Sequence, residues 1–224
     1  MTIQIRKSLF FITIVFGFFS SSVFAQDVSE QVEHRYAYND GVNLHYVRMG
    51  SGPLMVLIHG FPDFWYTWRH QMEALKGDYQ VVAIDQRGYN LSDKPKGTEQ
   101  YAMPRLTSDV AAVIKHMGQE KAIIVGHDWG GAVVWAMARL HPDRCSGIIG
   151  LNTGAGRPAG LPPLENPEPS LIVLGPNYYV GTFQEPGRAE AVLEADVRKT
   201  FDFILSRGGI WDKDAFAQLP ETSA

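Results

Sequence analysis

The chain has 224 residues, 45% of them hydrophobic and 12% aromatic, which is enough apolar material to fill the core of one sizeable domain and too much for a disordered segment. With 20 Lys and Arg against 24 Asp and Glu its formal charge is −4, a balance that repels nucleic acid and anionic lipid headgroups. A single cysteine, Cys145, excludes an internal disulfide framework, so stability has to come from the core.

Residues 1–25 read as a secretory signal peptide and stand outside the fold. Arg6-Lys7 is basic, Leu9 to Phe19 is an almost unbroken apolar run, and Ser20-Ser21-Ser22-Val23-Phe24-Ala25 ends in small residues suited to cleavage. A helix needs about 20 apolar residues to cross a bilayer, and this run has eleven. Export is therefore expected over a retained anchor, with no stable membrane insertion after cleavage. Loss of Arg6 and Lys7 would leave 18 basic against 24 acidic residues, a net −6.

His34 to Tyr38 and Leu44 to Arg48 flank Asn39-Asp40-Gly41, a turn sequence, and predict a hairpin. Leu54 to Ile58, Val81 to Ile84, Ala122 to Val125 and Ile148 to Leu151 are continuous apolar runs that suit strands covered on both faces. Between them Thr67 to Leu75, Arg105 to Met117 and Trp129 to Leu140 have helical length and composition, and His141-Pro142-Asp143 stops the last. The alternation predicts an α/β core over 26–154, a mostly parallel sheet with crossover helices. Cys145 falls at the buried start of the last of these strands, a setting for an inert thiol.

After Asn152-Thr153-Gly154 the character changes. Arg157 to Pro169 holds five prolines, and Gly187 to Leu205 is charged and amphipathic without another core strand. Segment 155–224 therefore reads as the start of an inserted helical cap; a peripheral linker with a helix pair is the plainer alternative.

The chemistry concentrates in Gly126-His127-Asp128-Trp129-Gly130-Gly131, between an apolar strand and a helix. Its spacing is that of the strand-to-helix turn G-x-S-x-G, with aspartate at the serine position. A residue on such an elbow is pushed clear of the backbone, and glycines flank it because side chains there would collide. A carboxylate attacking an acyl carbon gives an anhydride, more reactive than the ester it came from. Attack on a saturated carbon gives an alkyl ester, which can exist and can then be cleaved by water. Asp128 thus suits displacement at strained or activated carbon, an epoxide or an alkyl halide. The bland alternative is an aspartate capping the helix that follows.

A second motif, His59-Gly60-Phe61-Pro62, follows the Leu54 to Ile58 strand. A loop here can aim the Phe61 backbone N–H toward the elbow while the Trp129 N–H comes from the helix start. The two N–H groups would form an oxyanion hole acting on the aspartate's own carbonyl when water adds to the ester.

In these motifs the sequence resembles the epoxide hydrolases of the α/β-hydrolase superfamily. The match is carried by His59 to Pro62, Trp65-Tyr66-Thr67-Trp68-Arg69, Asp85-Gln86-Arg87-Gly88-Tyr89, Gly126 to Gly131, Leu151-Asn152-Thr153 and Phe183-Gln184-Glu185-Pro186-Gly187, all in the family's order. The resemblance implies an eight-stranded sheet, a helical cap, Asp128 as the alkylated nucleophile and a small-molecule epoxide as substrate. It also implies a cap tyrosine that protonates the leaving epoxide oxygen, at Tyr179, with Tyr178 its neighbour. A phenol suits that task because the developing alkoxide is far more basic.

The resemblance further implies a histidine base and its carboxylate partner near the C-terminus. Of the seven histidines only His141 follows Asp128, and thirteen helical positions at about 1.5 Å each put it about 20 Å away. His127 and His59 are expected to be structural. The chain thus reads as C-terminally truncated within the cap, without the last strands and helices or the base for the hydrolytic half-reaction, and with the strand around Ile149 left as an uncovered edge. Two other functions stay open: a haloalkane or haloacid dehalogenase with the Trp129 indole on the halide, and a non-catalytic binding protein on the same fold. No metal-ligand spacing, phosphate-binding glycine loop or cofactor signature stands out. Asn90-Leu91-Ser92 has the spacing of a glycosylation sequon.

Overall fold

The computed structural model describes residues 27–155, 183 and 186–205. The segment 1–25 expected to be a signal peptide, the proline-rich stretch and both candidate acids, Tyr178 and Tyr179, lie outside the described residues. The chain divides into two compact units, Met1–Arg157 and Pro158–Ala224.

The first unit is built on a six-stranded sheet. A short helix α1 (Val28–Gln31) precedes the antiparallel hairpin of β1 (Glu33–Asn39) and β2 (Val42–Met49). Asp40 and Gly41 turn it with φ of 47° and 85°, the double positive φ that matches a two-residue hairpin turn to strand twist. Next come β3 (Leu54–Ile58), a 3₁₀ turn (Trp65–Trp68) running into α2 (Arg69–Leu75), β4 (Gln80–Ile84) and α3 (Met103–His116). The elbow lies between β5 (Ala122–His127) and α4 (Trp129–Leu140), and β6 (Cys145–Leu151) ends the sheet. The spatial order is β1-β2-β4-β3-β5-β6, with β4, β3, β5 and β6 parallel. Sheet and crossover helices are those expected, with ends displaced by a few residues.

Residue parity assigns each strand's side chains to the two faces. Val56 and Ile58 of β3, with Leu44, Tyr46, Val82, Ile84 and Ile124, pack against Val110, Val113 and Ile114 of α3 and Val133, Val134 and Met137 of α4. Met55 and Leu57, one position out of phase, join Val47, Val81, Ala83 and Val125 against Trp65, Trp68 and Met72. A core on both faces explains why β3 and β4 are nearly unbroken apolar runs.

β6 departs from that pattern. Ile149 and Leu151 are exposed, and β6 is an edge strand among the described residues, in line with the uncovered edge expected near Ile149. Cys145 is half-buried, its Sγ on the His141 carbonyl, and burial pushes its thiol up.

In the second unit the described helices are Arg188–Leu193 and Val197–Ile204. The Glu190 carboxylate reaches back to the Gly187 N–H at 2.9 Å, and Asp196 caps the second helix by accepting from the Lys199 N–H at 3.0 Å.

Candidate active site

β5 delivers Asp128 at the carboxyl end of the parallel strands, where open α/β sheets place their sites. Its backbone has φ 54° and ψ −121°, a sparsely populated conformation for a side-chain-bearing residue that costs about 1–3 kcal/mol and persists only when neighbours hold it. They do so from both sides. Asp128 N–H donates to the Leu151 carbonyl, Gly131 N–H donates to the Asp128 carbonyl, and so does the Thr153 hydroxyl. The Asp128 side chain makes no capping bond to α4, so the bland reading of this aspartate as a helix cap does not describe it.

Close approach makes the glycines necessary. Cβ atoms at Gly126 and Gly130 would strike the Gly130 and Ile58 carbonyls respectively. A Cβ at Gly60 would lie 2.5 Å from the Cβ of Asp128 and 2.7 Å from its Oδ1. With no side chain at 60, the loop closes on the carboxylate, and the Phe61 N–H donates to Asp128 Oδ1 at 3.0 Å. Trp129, 42% exposed, opens α4; among the described residues its backbone N–H meets no acceptor.

Beneath the loop, His59 is fully buried. Its Nε2 accepts from the Gln86 N–H at 3.1 Å, so the ring proton sits on Nδ1 and is donated to the Gly60 carbonyl at 2.8 Å. Burial holds the imidazole below its ordinary pKa, against the opposing pull of the Gly60 carbonyl and the carboxylates of Asp85 and Asp63. His59 is thus a neutral brace of the loop. His127 turns to Asn152, ring Nε2 to side-chain amide 3.1 Å. The described residues include all seven histidines, and none touches the Asp128 carboxylate, whose partner is the Phe61 N–H. Tyr89 stands edge-on to His59, centroids 4.8 Å apart; burial first, then the charge of Asp128 and the neighbouring Tyr101, push its phenol up to about 12.

The stretch Asp85 to Tyr89 carries supporting roles that its residue types alone do not reveal. Asp85 is fully buried and accepts from Trp65 N–H at 2.9 Å, His45 Nδ1 at 2.6 Å and Asn90 Nδ2 at 2.8 Å. Burial would raise its carboxyl, but these donors outweigh it and hold the pKa below the ordinary value. Gln86 also donates its side-chain amide to the His59 carbonyl at 2.7 Å. Arg87 forms a buried bidentate pair with Asp109 of α3, both bonds 2.6 Å, and donates to the Gln100 carbonyl at 2.7 Å. The signal available in the sequence was a polar, charged run set directly after an apolar strand. The same network engages the sequon: the Asn90 amide is on Asp85, and the buried Ser92 hydroxyl donates to the Asp85 carbonyl at 2.7 Å.

At the opposite end of the parallel strands a depression of about 400 Å³ is lined by Gln31, Glu33, Arg48, Met49, Gly50, Lys76 and Gln80. Its charged groups are partnered: Arg48 donates to Glu33, and Lys76 donates to Gln31 at 3.0 Å and to Glu73 at 2.8 Å. Among the described residues no group of three or more His, Cys, Asp or Glu side chains is placed to hold a metal ion.

A sheet of this order with an aspartate elbow facing a His-Gly-Phe-Pro loop defines an α/β hydrolase. The model of the alpha/beta hydrolase fold family matches residues 53–189, and the chain belongs to that family. Within it, the chain is 40% identical over 175 residues to bifunctional epoxide hydrolase 2 of Rattus norvegicus, covering 76% of this chain and 30% of that protein. It is 43% identical over 179 residues to epoxide hydrolase B of Mycobacterium tuberculosis, covering 74% and 50%. Among solved structures, an epoxide hydrolase from Vigna radiata superposes with a TM-score of 0.66 at 32% identity, covering 79% of this chain and 58% of that one. An epoxide hydrolase from an endophytic Streptomyces gives 0.66 at 39%, covering 77% and 52%. The chain thus spans 30% and 50% of the length of these two curated relatives.

Proposed function

We propose that the protein opens epoxides to vicinal diols through an ester on Asp128. The observation that carries this reading is the Asp128 carboxylate on its elbow, uncapped, with one oxygen held by the Phe61 N–H. The other oxygen attacks an epoxide carbon. The carbon–oxygen bond of the ring breaks, its electron pair stays on the oxygen, and the Tyr179 phenol supplies the proton, giving a hydroxyalkyl ester. Water then adds to the carboxyl carbon while the Phe61 and Trp129 N–H groups stabilise the oxyanion. Collapse releases the diol and returns the carboxylate and the phenol's proton, so one epoxide and one water give one diol. The epoxide hydrolases similar to this chain support the substrate class.

No histidine of this chain reaches the carboxylate, so hydrolysis of the ester is expected to be far slower than its formation, and the ester should accumulate. Intact-protein mass spectrometry after exposure to styrene oxide tests this: one added substrate mass on Asp128 is expected, and folded protein without an adduct would refute it. A second reading, dehalogenation, draws on the exposed Trp129 indole beside the elbow. Chloride or bromide released from a haloalkane, with no adduct from the epoxide, would favour it. Export is proposed on the basic start, apolar run and small-residue end of segment 1–25.

A further inference from the structure

The chain just beyond β6 crosses the elbow, and the main chain of the nucleophile is tied to it. Asp128 N–H donates to the Leu151 carbonyl at 3.3 Å. The Asp128 carbonyl accepts from the Gly131 and Ala132 N–H groups at 2.9 and 3.3 Å, bonds that belong to any helix start. It also accepts from the Thr153 hydroxyl at 2.8 Å, and this bond comes from another part of the fold. Thr153 is itself held: the Trp135 indole N–H donates to its carbonyl at 2.8 Å. It also fills the space left by Gly131, where a Cβ would lie 2.7 Å from the Thr153 Cβ.

The Asp128 carbonyl and the Trp129 N–H are two ends of one peptide group. The group is planar and trans, so its C=O and N–H point in opposite directions. Whatever fixes the direction of the carbonyl fixes the direction of the N–H. That N–H meets no acceptor among the described residues, and it adjoins the carboxylate already met by the Phe61 N–H.

We infer that Thr153 is a positioning residue for the reaction at Asp128: its hydroxyl sets the Asp128–Trp129 peptide so that the Trp129 N–H, which meets no acceptor among the described residues, can join the Phe61 N–H on one carboxylate oxygen as the ester forms. With both donors on that oxygen in the transition state, the other oxygen is the attacking atom. The held oxygen becomes the ester carbonyl and, when water adds, the oxyanion. The inference rests on Asp128 being the residue alkylated.

Thr153→Val removes the hydroxyl and keeps the shape, and Thr153→Ser keeps the hydroxyl. Both are first checked for folding by circular dichroism and thermal melting. The rate of adduct formation on Asp128 is then followed by mass spectrometry over a range of styrene oxide concentrations. In Thr153→Val the saturating rate is expected to fall about 10- to 100-fold with the half-saturating concentration unchanged, and Thr153→Ser to stay within about threefold of the parent. The Trp129 amide resonance should move in Thr153→Val and return in Thr153→Ser. A Thr153→Val rate equal to the parent's overturns the inference. So does equal slowing in both variants, which would put the effect in the methyl's packing on Gly131.

If the parent forms no adduct, the reading of Asp128 fails instead, and the amide resonance decides the placement: unmoved in Thr153→Val, it overturns the inference. If Thr153→Val does not fold, Trp135→Phe takes its place, since it removes the donor to the Thr153 carbonyl and keeps a ring. A loss of about threefold to tenfold supports the inference, and an unchanged rate overturns it.

Discussion

Phe61 and Asp128, 67 positions apart in sequence, meet at 3.0 Å, backbone N–H on carboxylate Oδ1. The contact exists because residue 60 has no side chain: a Cβ there would lie 2.5 Å from that of Asp128. Gly60→Ala must therefore push the loop and the carboxylate apart. A displacement of about 1 Å costs about 100-fold in rate, and that loss is expected in adduct formation while circular dichroism stays that of the parent. A variant as reactive as the parent would show that the loop does not set the geometry of the carboxylate.

Asp128→Asn keeps the size of the side chain and tolerates a positive φ, but it removes the ionised oxygen. Adduct formation is expected to fall by about 10⁴-fold or more, with the melting temperature little changed. In an active relative under single turnover, labelled water should place its oxygen in the aspartate first. Label found directly in the diol would mean that water, not the carboxylate, attacks the epoxide.

Arg87 is buried against Asp109 with both bonds at 2.6 Å. Removing one partner leaves a buried charge uncompensated, so Arg87→Met is expected to cost about 3–5 kcal/mol in urea unfolding. Arg87→Met with Asp109→Leu should recover part of that loss, because the stranded charge goes too. A single variant as stable as the parent would mean that the carboxylate is rescued by water.

The folded-state pKa of His59 is held below its ordinary 6.5, chiefly by burial. Between the two values the unfolded chain binds more protons than the folded one, so stability rises with pH. This contribution is complete above about 6.5 and is lost as pH falls below it toward the folded value. Urea unfolding from about pH 8 down to about pH 5 should show the decline, at most about 1.4 kcal/mol per pH unit from this group. His59→Gln should flatten it. An unchanged slope would assign the proton elsewhere, His34 being the next candidate, since burial first and then its neighbour His45 also lower its pKa.

Much of the architecture was legible because local patterns and the tertiary fold agree. Leu54 to Ile58 is apolar at every position because both faces of β3 are covered, and Asp40-Gly41 turns the hairpin because that pair accepts positive φ. Asp128 was legible as a candidate for a similar reason: the flanking glycines answer to collisions within the elbow itself. β6 was read less well, since an apolar run does not say which of its faces finds a neighbour, and Ile149 and Leu151 are exposed.

By itself the sequence determined which segments become strands and helices, and that a carboxylate occupies the turn between β5 and α4, since both follow from the period of apolar residues and the spacing of glycines over a few positions. Only the tertiary structure decided what surrounds that residue. The Phe61 N–H, the Thr153 hydroxyl, and the Gln86 N–H that fixes the His59 proton come from loops that the parallel sheet brings together at one end. Hydrogen bonds act over about 3 Å, and separations of 67, 25 and 27 residues acquire such distances only when the crossovers have closed.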